Sequence, residues 1–130
     1  MHSFETLTLA AAALIKAPDG SDVRPLLALD AGSMAHFELA GGKTSIAVAH
    51  RSVEEIWFVI GGRGEMWRRQ GEQEAIVPLA AGVSLTIPLG TAFQFRSFGR
   101  EPLTIVAITM PPWPGPDEAY EVESKWPPSV

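Results

Sequence analysis

The sequence contains no cysteine. Disulfides, thiolate nucleophiles and thiolate metal ligands are therefore excluded, and the absence suits a cytoplasmic protein. Charge is also scarce: only 19% of residues are Asp, Glu, Lys or Arg, and they sum to −5. Such a chain has little to offer a phosphate backbone, so nucleic acid is not an expected partner. Arg63, Arg68 and Arg69 cluster locally, but Glu65, Glu72 and Glu74 stand among them, the mixture of a solvated strand or turn face. Helical periodicity of useful length is missing as well. The apolar run Leu7 to Ile15 has the length of a signal-peptide core, yet Glu5 sits where positive charge belongs. It is far too short to span a membrane. It reads as a first strand or its approach, and no membrane partner is expected.

Apolar side chains, by contrast, are plentiful: 46% of 130 residues are hydrophobic. The length suits one domain with one core. The surplus apolar surface predicts a subunit interface, and with it a homodimer.

Short runs of alternating or β-branched residues are punctuated by turn signals almost throughout. Ala17-Pro18-Asp19-Gly20 separates the first apolar run from Val23 to Leu29, and Asp30-Ala31-Gly32 breaks the chain again. Met34 to Leu39, Thr44 to His50 and Glu55 to Ile60 follow, then a hairpin through Gln70-Gly71-Glu72. Ala75 to Leu79, Val83 to Ile87, Ala92 to Phe98 and Leu103 to Met110 complete the series. The spacing predicts an all-β antiparallel sandwich or barrel over residues 1–110. Residues 111–130 differ, because Pro111-Pro112-Trp113-Pro114-Gly115-Pro116 cannot form a central strand. Trp113 and Trp126 in this tail predict that it packs over the barrel or a neighbouring subunit.

Two glycine-framed segments carry the most specific signal. The first reads Gly42, five residues, Val48, one residue, His50, four residues, Glu55, six residues, Gly62. The second reads Gly82, five residues, Pro88, one residue, Gly90, two residues, Phe93, three residues, Ser97. Together they resemble the two-part signature of the cupin superfamily, G-x5-H-x-H-x(3,4)-E-x6-G followed by G-x5-P-x-G-x2-H-x3-N. The glycines, the proline, one histidine and the glutamate are in register. Val48 and Phe93 stand where the signature has histidines, and Ser97 stands where it has Asn. The resemblance implies a single-domain cupin of jelly-roll type with a degenerate metal site. Cupin activities include isomerases, epimerases, lyases, decarboxylases, dioxygenases and ligand binding.

Strand alternation then sorts the residues. The face that carries His50 also carries Val48. The face of Glu55 carries Trp57 and Val59, while Glu54 faces out. The face of Phe93 carries Phe95 and Ser97, leaving Gln94 and Arg96 outside. The inferred pocket has His50 and Glu55 as polar groups, with Val48, Trp57, Phe93, Phe95 and Ser97 around them. A mostly apolar cavity with few polar groups suits a small organic ligand. Metal-binding cupins use three histidines and a glutamate, and His50 with Glu55 alone falls short of the three protein ligands usual in catalytic sites. His36 is the only other candidate, and parity with Phe37 places it on the opposite face. His2 carries no signal. No cofactor is expected, beyond a weakly held divalent metal. A buried His–Glu pair has the parts for proton transfer, with the carboxylate raising the basicity of the imidazole. The expected function is metal-independent isomerisation, epimerisation or elimination on a small organic acid, sugar or ketone. Two alternatives stand beside it: a non-catalytic small-molecule binder, and a weakly metal-binding enzyme.

Overall fold

The computed structural model describes residues 3–130; His2 lies outside them. Eleven strands run through them: β1 (Ile15–Lys16), β2 (Asp22–Leu29), β3 (Gly32–Leu39), β4 (Val48–His50), β5 (Glu54–Gly61), β6 (Arg63–Gln70), β7 (Gln73–Ala80), β8 (Ser84–Ile87), β9 (Ala92–Ser97), β10 (Leu103–Met110) and β11 (Ala119–Glu121). They form two antiparallel sheets, ordered β1-β2-β3-β10-β5-β8 and β11-β4-β9-β6-β7. The chain is therefore the all-β, double-sheet jelly roll that the turn spacing predicts. No helix among the described residues is long and apolar enough to cross a membrane.

Alternation builds the core. In β10, Leu103, Ile105, Ala107 and Thr109 are buried, while the residues between them are part-exposed. In β5, Glu55, Trp57 and Val59 are buried between exposed Glu54, Ile56, Phe58 and Ile60. The inward sets meet Leu39, Met66, Leu79, Ile87, Phe93 and Phe95 in one continuous cluster. Each of these large side chains contributes about 1.5–3 kcal/mol by leaving water. Gly64 lets β6 and β9 close together, since a Cβ there would stand 2.0 Å from the Arg96 carbonyl oxygen.

Two stretches are strand over less of their length than their apolar pattern covers. Leu7 to Ile15 is the approach to the first strand rather than the strand itself: it holds a 3₁₀ turn at Leu9–Ala11, and only Ile15 enters β1. Thr44 to His50 is a continuous strand only over Val48–His50: Thr44 makes an isolated bridge to Arg96 of β9, and the Ile46 amide then leaves that ladder. Ser45 N–H donates to the Phe95 carbonyl at 2.9 Å, and Ile46 N–H to the Asp19 carbonyl at 2.8 Å.

The tail after Met110 lies against both sheets. Trp113 N–H donates to Ser33 Oγ at 2.9 Å, and β11 adds a strand beside β4. Gln94, outside the barrel as parity required, is nevertheless fully buried. Its amide oxygen accepts the Lys125 and Trp126 N–H groups, and its NH2 donates to the Trp126 carbonyl, each at 2.8–2.9 Å. The Arg96 guanidinium lies 4.1 Å from the Trp126 ring centroid.

Candidate functional site

One cavity of about 390 Å³ opens between the sheets and the tail. Its walls are Trp57 from β5, Phe93 from β9, Phe37 from β3, Val48 from β4 and Trp113 from the tail. Trp57 stacks on Phe37 with centroids 5.7 Å apart and meets Phe93 edge-on at the same distance. The polar side chains opening on it include His50, Glu55, Asp19 and Thr109.

Glu55 is held from two sides. Trp57 Nε1–H donates to Oε1 at 3.1 Å, and the Thr109 hydroxyl donates to Oε2 at 2.5 Å. The β10–β5 register dictates the second bond, because Thr109 and Glu55 are direct cross-strand partners. Burial pushes the Glu55 carboxyl above its ordinary range and outweighs both hydrogen bonds, which favour the ionised form.

His50 lies with its ring edge-on to Phe93 and Trp113, at 5.3 and 5.5 Å. Nε2 is 3.8 Å from Glu55 Oε1, too far for a hydrogen bond. Nδ1 is buried without a partner. Burial pulls the imidazole below its ordinary value of 6.5, against the opposing pull of Glu118 and Asp19. The sequence reading had Glu55 raising the basicity of His50; the structure reverses that direction. The aromatic walls desolvate the ring, and Glu55 does not hydrogen-bond to it.

Asp19 and Thr109 were not singled out in the sequence. Thr109 was legible, since the parity of β10 places it inward with Ile105 and Ala107. Asp19 had no comparable signal. It sits in the Ala17–Gly20 turn, where Asp is common for local reasons. Its backbone carbonyl accepts the Ile46 N–H, which draws the turn to the cavity mouth. Burial pushes its carboxyl up, against two hydrogen bonds from Ser21. Glu118, from the acidic tail, accepts hydrogen bonds from the Ser52 hydroxyl and the Ser52 and Val53 N–H groups. Burial alone would raise its carboxyl, but these bonds prevail and hold it below the usual range.

The other expected residues divide. Val48 and Phe93 are cross-strand partners and line the cavity beside His50. Phe95 stands one layer deeper, edge-on to Trp57 at 5.1 Å, and does not reach the cavity. Ser97 is buried near the far end of β9, its hydroxyl 3.3 Å from the Glu101 carbonyl oxygen, because two further residues along the strand carry it away from His50. His36 is buried on the other face of β3, paired in register with Arg24 and Val106.

Among the described residues, no three His, Asp or Glu side chains converge where a metal ion could be held. Two aliphatic or aromatic side chains occupy the positions of the family's histidines, and His36 points away. The residues present do not fit the family's metal.

The family profile of the cupin domain matches residues 35–109, more than half of the chain. No curated protein matches the sequence. Among solved structures, a PAC13 variant from Streptomyces bound to uridine superposes with a TM-score of 0.74 at 12% identity, covering 93% of this chain and 92% of that one. Another PAC13 structure, described as a nucleoside dehydratase, matches with a TM-score of 0.72 at 13% identity over 92% of both chains. CapF from Staphylococcus aureus, described as a capsular polysaccharide assembling protein, gives 0.74 at 14% identity. There the match covers 87% of this chain and 34% of CapF, so this chain spans about a third of that protein. At these identities the likeness is one of fold. With the profile spanning both glycine-framed segments, and the same double-sheet architecture in these structures, the chain belongs to the cupin family.

Proposed function

We propose that the chain is a small-molecule cupin enzyme that works by proton transfer without a bound metal. The carrying observation is His50: an imidazole in an aromatic cavity, with no hydrogen-bond partner for Nδ1 among the described residues and a carboxyl oxygen 3.8 Å from Nε2. Kept neutral by burial, it serves as base. Glu55, shifted toward its neutral form, serves as acid. Two groups whose environments drive them toward complementary protonation states suit isomerisation, epimerisation or elimination. The likeness to a nucleoside dehydratase over nearly the whole chain favours elimination among the three. An absence of cysteine fits a cytoplasmic setting.

The test is proton exchange between solvent deuterium and a bound ligand, compared between wild type and His50→Gln. The variant is expected to lose exchange while keeping its thermal transition. Equal exchange in both proteins would remove the acid–base reading.

A second reading, a non-catalytic binding protein, is favoured by one observation. Both Glu55 oxygens already hold hydrogen bonds from Thr109 and Trp57, as those of a structural carboxylate would. Ligand affinity without exchange would select it.

The chain is further proposed to act as a homodimer. On the outer face of the six-stranded sheet, Met34, Ile56, Phe58 and Ile60 are 41–46% exposed. Val106 and Ile108 lie between them in register, paired with Phe58 and Ile56. A contiguous apolar face of this kind suits a second copy across a two-fold axis.

A further inference from the structure

We propose that Asp19 is a second ligand-contacting acid of the cavity, paired with His50, and that the cavity selects an uncharged, hydroxyl-bearing molecule over its carboxylate counterpart. The inference rests on reading the cavity as a small-molecule site.

Asp19 is positioned more firmly than a turn residue requires. Its carbonyl takes the Ile46 N–H at 2.8 Å, and the turn is closed by Gly20 N–H on the Ala17 carbonyl at 2.9 Å. One carboxyl oxygen, Oδ1, accepts the Ser21 N–H at 2.9 Å and the Ser21 hydroxyl at 2.6 Å. Among the described residues no hydrogen-bond donor is recorded for Oδ2, and Asp19, though buried, lines the cavity. His50 lines it too, with Nε2 3.8 Å from Glu55 Oε1, beyond hydrogen-bond reach. Two polar side chains thus line one mostly apolar cavity, together with Trp57, Phe93 and Trp113. Their complement is a group that both donates and accepts, such as a hydroxyl.

Charge decides the rest. Asp19, Glu55 and Glu118 all act electrostatically within this region. Lys16, the Lys or Arg that lines the cavity among the described residues, is bound to Asp22 at 2.6 Å. A ligand carboxylate would bring its own charge into a cavity where water is scarce and, among the described residues, no unpaired cation lines the wall. An uncharged hydroxylated ligand meets no such penalty. It also gains from the aromatic walls, which receive the C–H faces of a ring.

The experiment uses three matched pairs of probes: methyl β-glucoside and methyl β-glucuronide, shikimyl alcohol and shikimate, dihydroxyacetone and hydroxypyruvate. Binding is measured by ligand-observed NMR and calorimetry. In at least one pair the neutral member is expected to bind, at least about tenfold more tightly than its carboxylate. Asp19→Asn keeps Oδ1 as an acceptor for Ser21 and is expected to weaken that ligand by about tenfold or more. Carboxylates binding as tightly as their neutral partners, no neutral probe binding, or unchanged affinity in a folded Asp19→Asn would each overturn the inference. The charge preference is read on wild type, so it stands even if the variant fails to fold. Selective binding without deuterium exchange would leave this inference standing and remove the enzyme reading instead.

Discussion

Thr109 and Glu55 face each other directly across the β10–β5 ladder, and the Thr109 hydroxyl donates to the Glu55 carboxyl at 2.5 Å. Sheet register alone brings them together. The pair is not a device for keeping Glu55 ionised, however, because burial outweighs it. The protein therefore carries a carboxyl that would be more comfortable without its charge.

Glu55→Gln is expected to raise the melting temperature at pH 8. Gln can accept from Trp57 Nε1 and donate to Thr109, so both contacts survive. The sign follows from the raised carboxyl. The folded protein holds this proton more tightly than the unfolded chain, so Glu55 costs stability as pH rises through its folded value. The gain should be seen at pH 8, where each kcal/mol is worth roughly 4 °C for a chain of this size, and should shrink toward zero near pH 4. Thermal melts at both pH values decide it, and a lower melting temperature at pH 8 would contradict the account.

The pH profile of any turnover should keep its acid limb below 6.5. His50 titrates below that value because burial disfavours the imidazolium, so the base stays competent in mild acid. On the alkaline side activity should fall as Glu55 ionises. An acid limb above 6.5 would mean that the imidazolium is stabilised in the working protein. Direct NMR titration of the His50 ring checks the assignment.

Metal affinity should be recoverable by design. Val48 and Phe93 are cross-strand partners beside His50. Changing both to histidine places three imidazoles and Glu55 around one point, with one substitution adding volume and the other removing it. Zinc or nickel affinity is expected to rise by at least about a hundredfold, measured by competitive chelator titration. Stoichiometric metal in the unmodified protein, bonded to His50 and Glu55, would refute the premise.

The outer sheet face supplies the test of assembly. Light scattering should give twice the 14.0 kDa chain mass. Phe58→Glu, at a position 46% exposed, should return the protein to a monomer without unfolding it. A wild-type monomer at micromolar concentration would rule the dimer out.

Strand parity made much of this site readable in advance. The alternation of β5 places Glu55, Trp57 and Val59 inward and Glu54 outward from sequence alone, because side chains on a strand have only two directions to choose from. The same rule separates His36 from Phe37. It fails for distance along a strand: Phe95 and Ser97 share a face with Phe93, yet each step of two residues moves them about 7 Å further from His50. It is silent for residues outside strands. Asp19 reaches the cavity because a turn is pulled in by the Ile46 amide, and Trp113 because the tail folds back onto Ser33. Neither contact leaves a periodic trace. The pKa direction of His50 was likewise beyond a pattern argument, since it depends on how completely the aromatic rings exclude water.

The placement of Trp113, Glu118 and β11 also separates scaffold from vessel. A chain ending at Met110 would retain ten of the eleven strands and the central apolar cluster. It would lack one wall of the cavity, the strand beside His50 and the carboxylate that ties down Ser52. Truncated or proteolytically trimmed forms should therefore remain folded and pass as intact by circular dichroism. What they would have lost is the enclosure, leaving His50 in contact with bulk water and its titration restored to that of an ordinary surface imidazole.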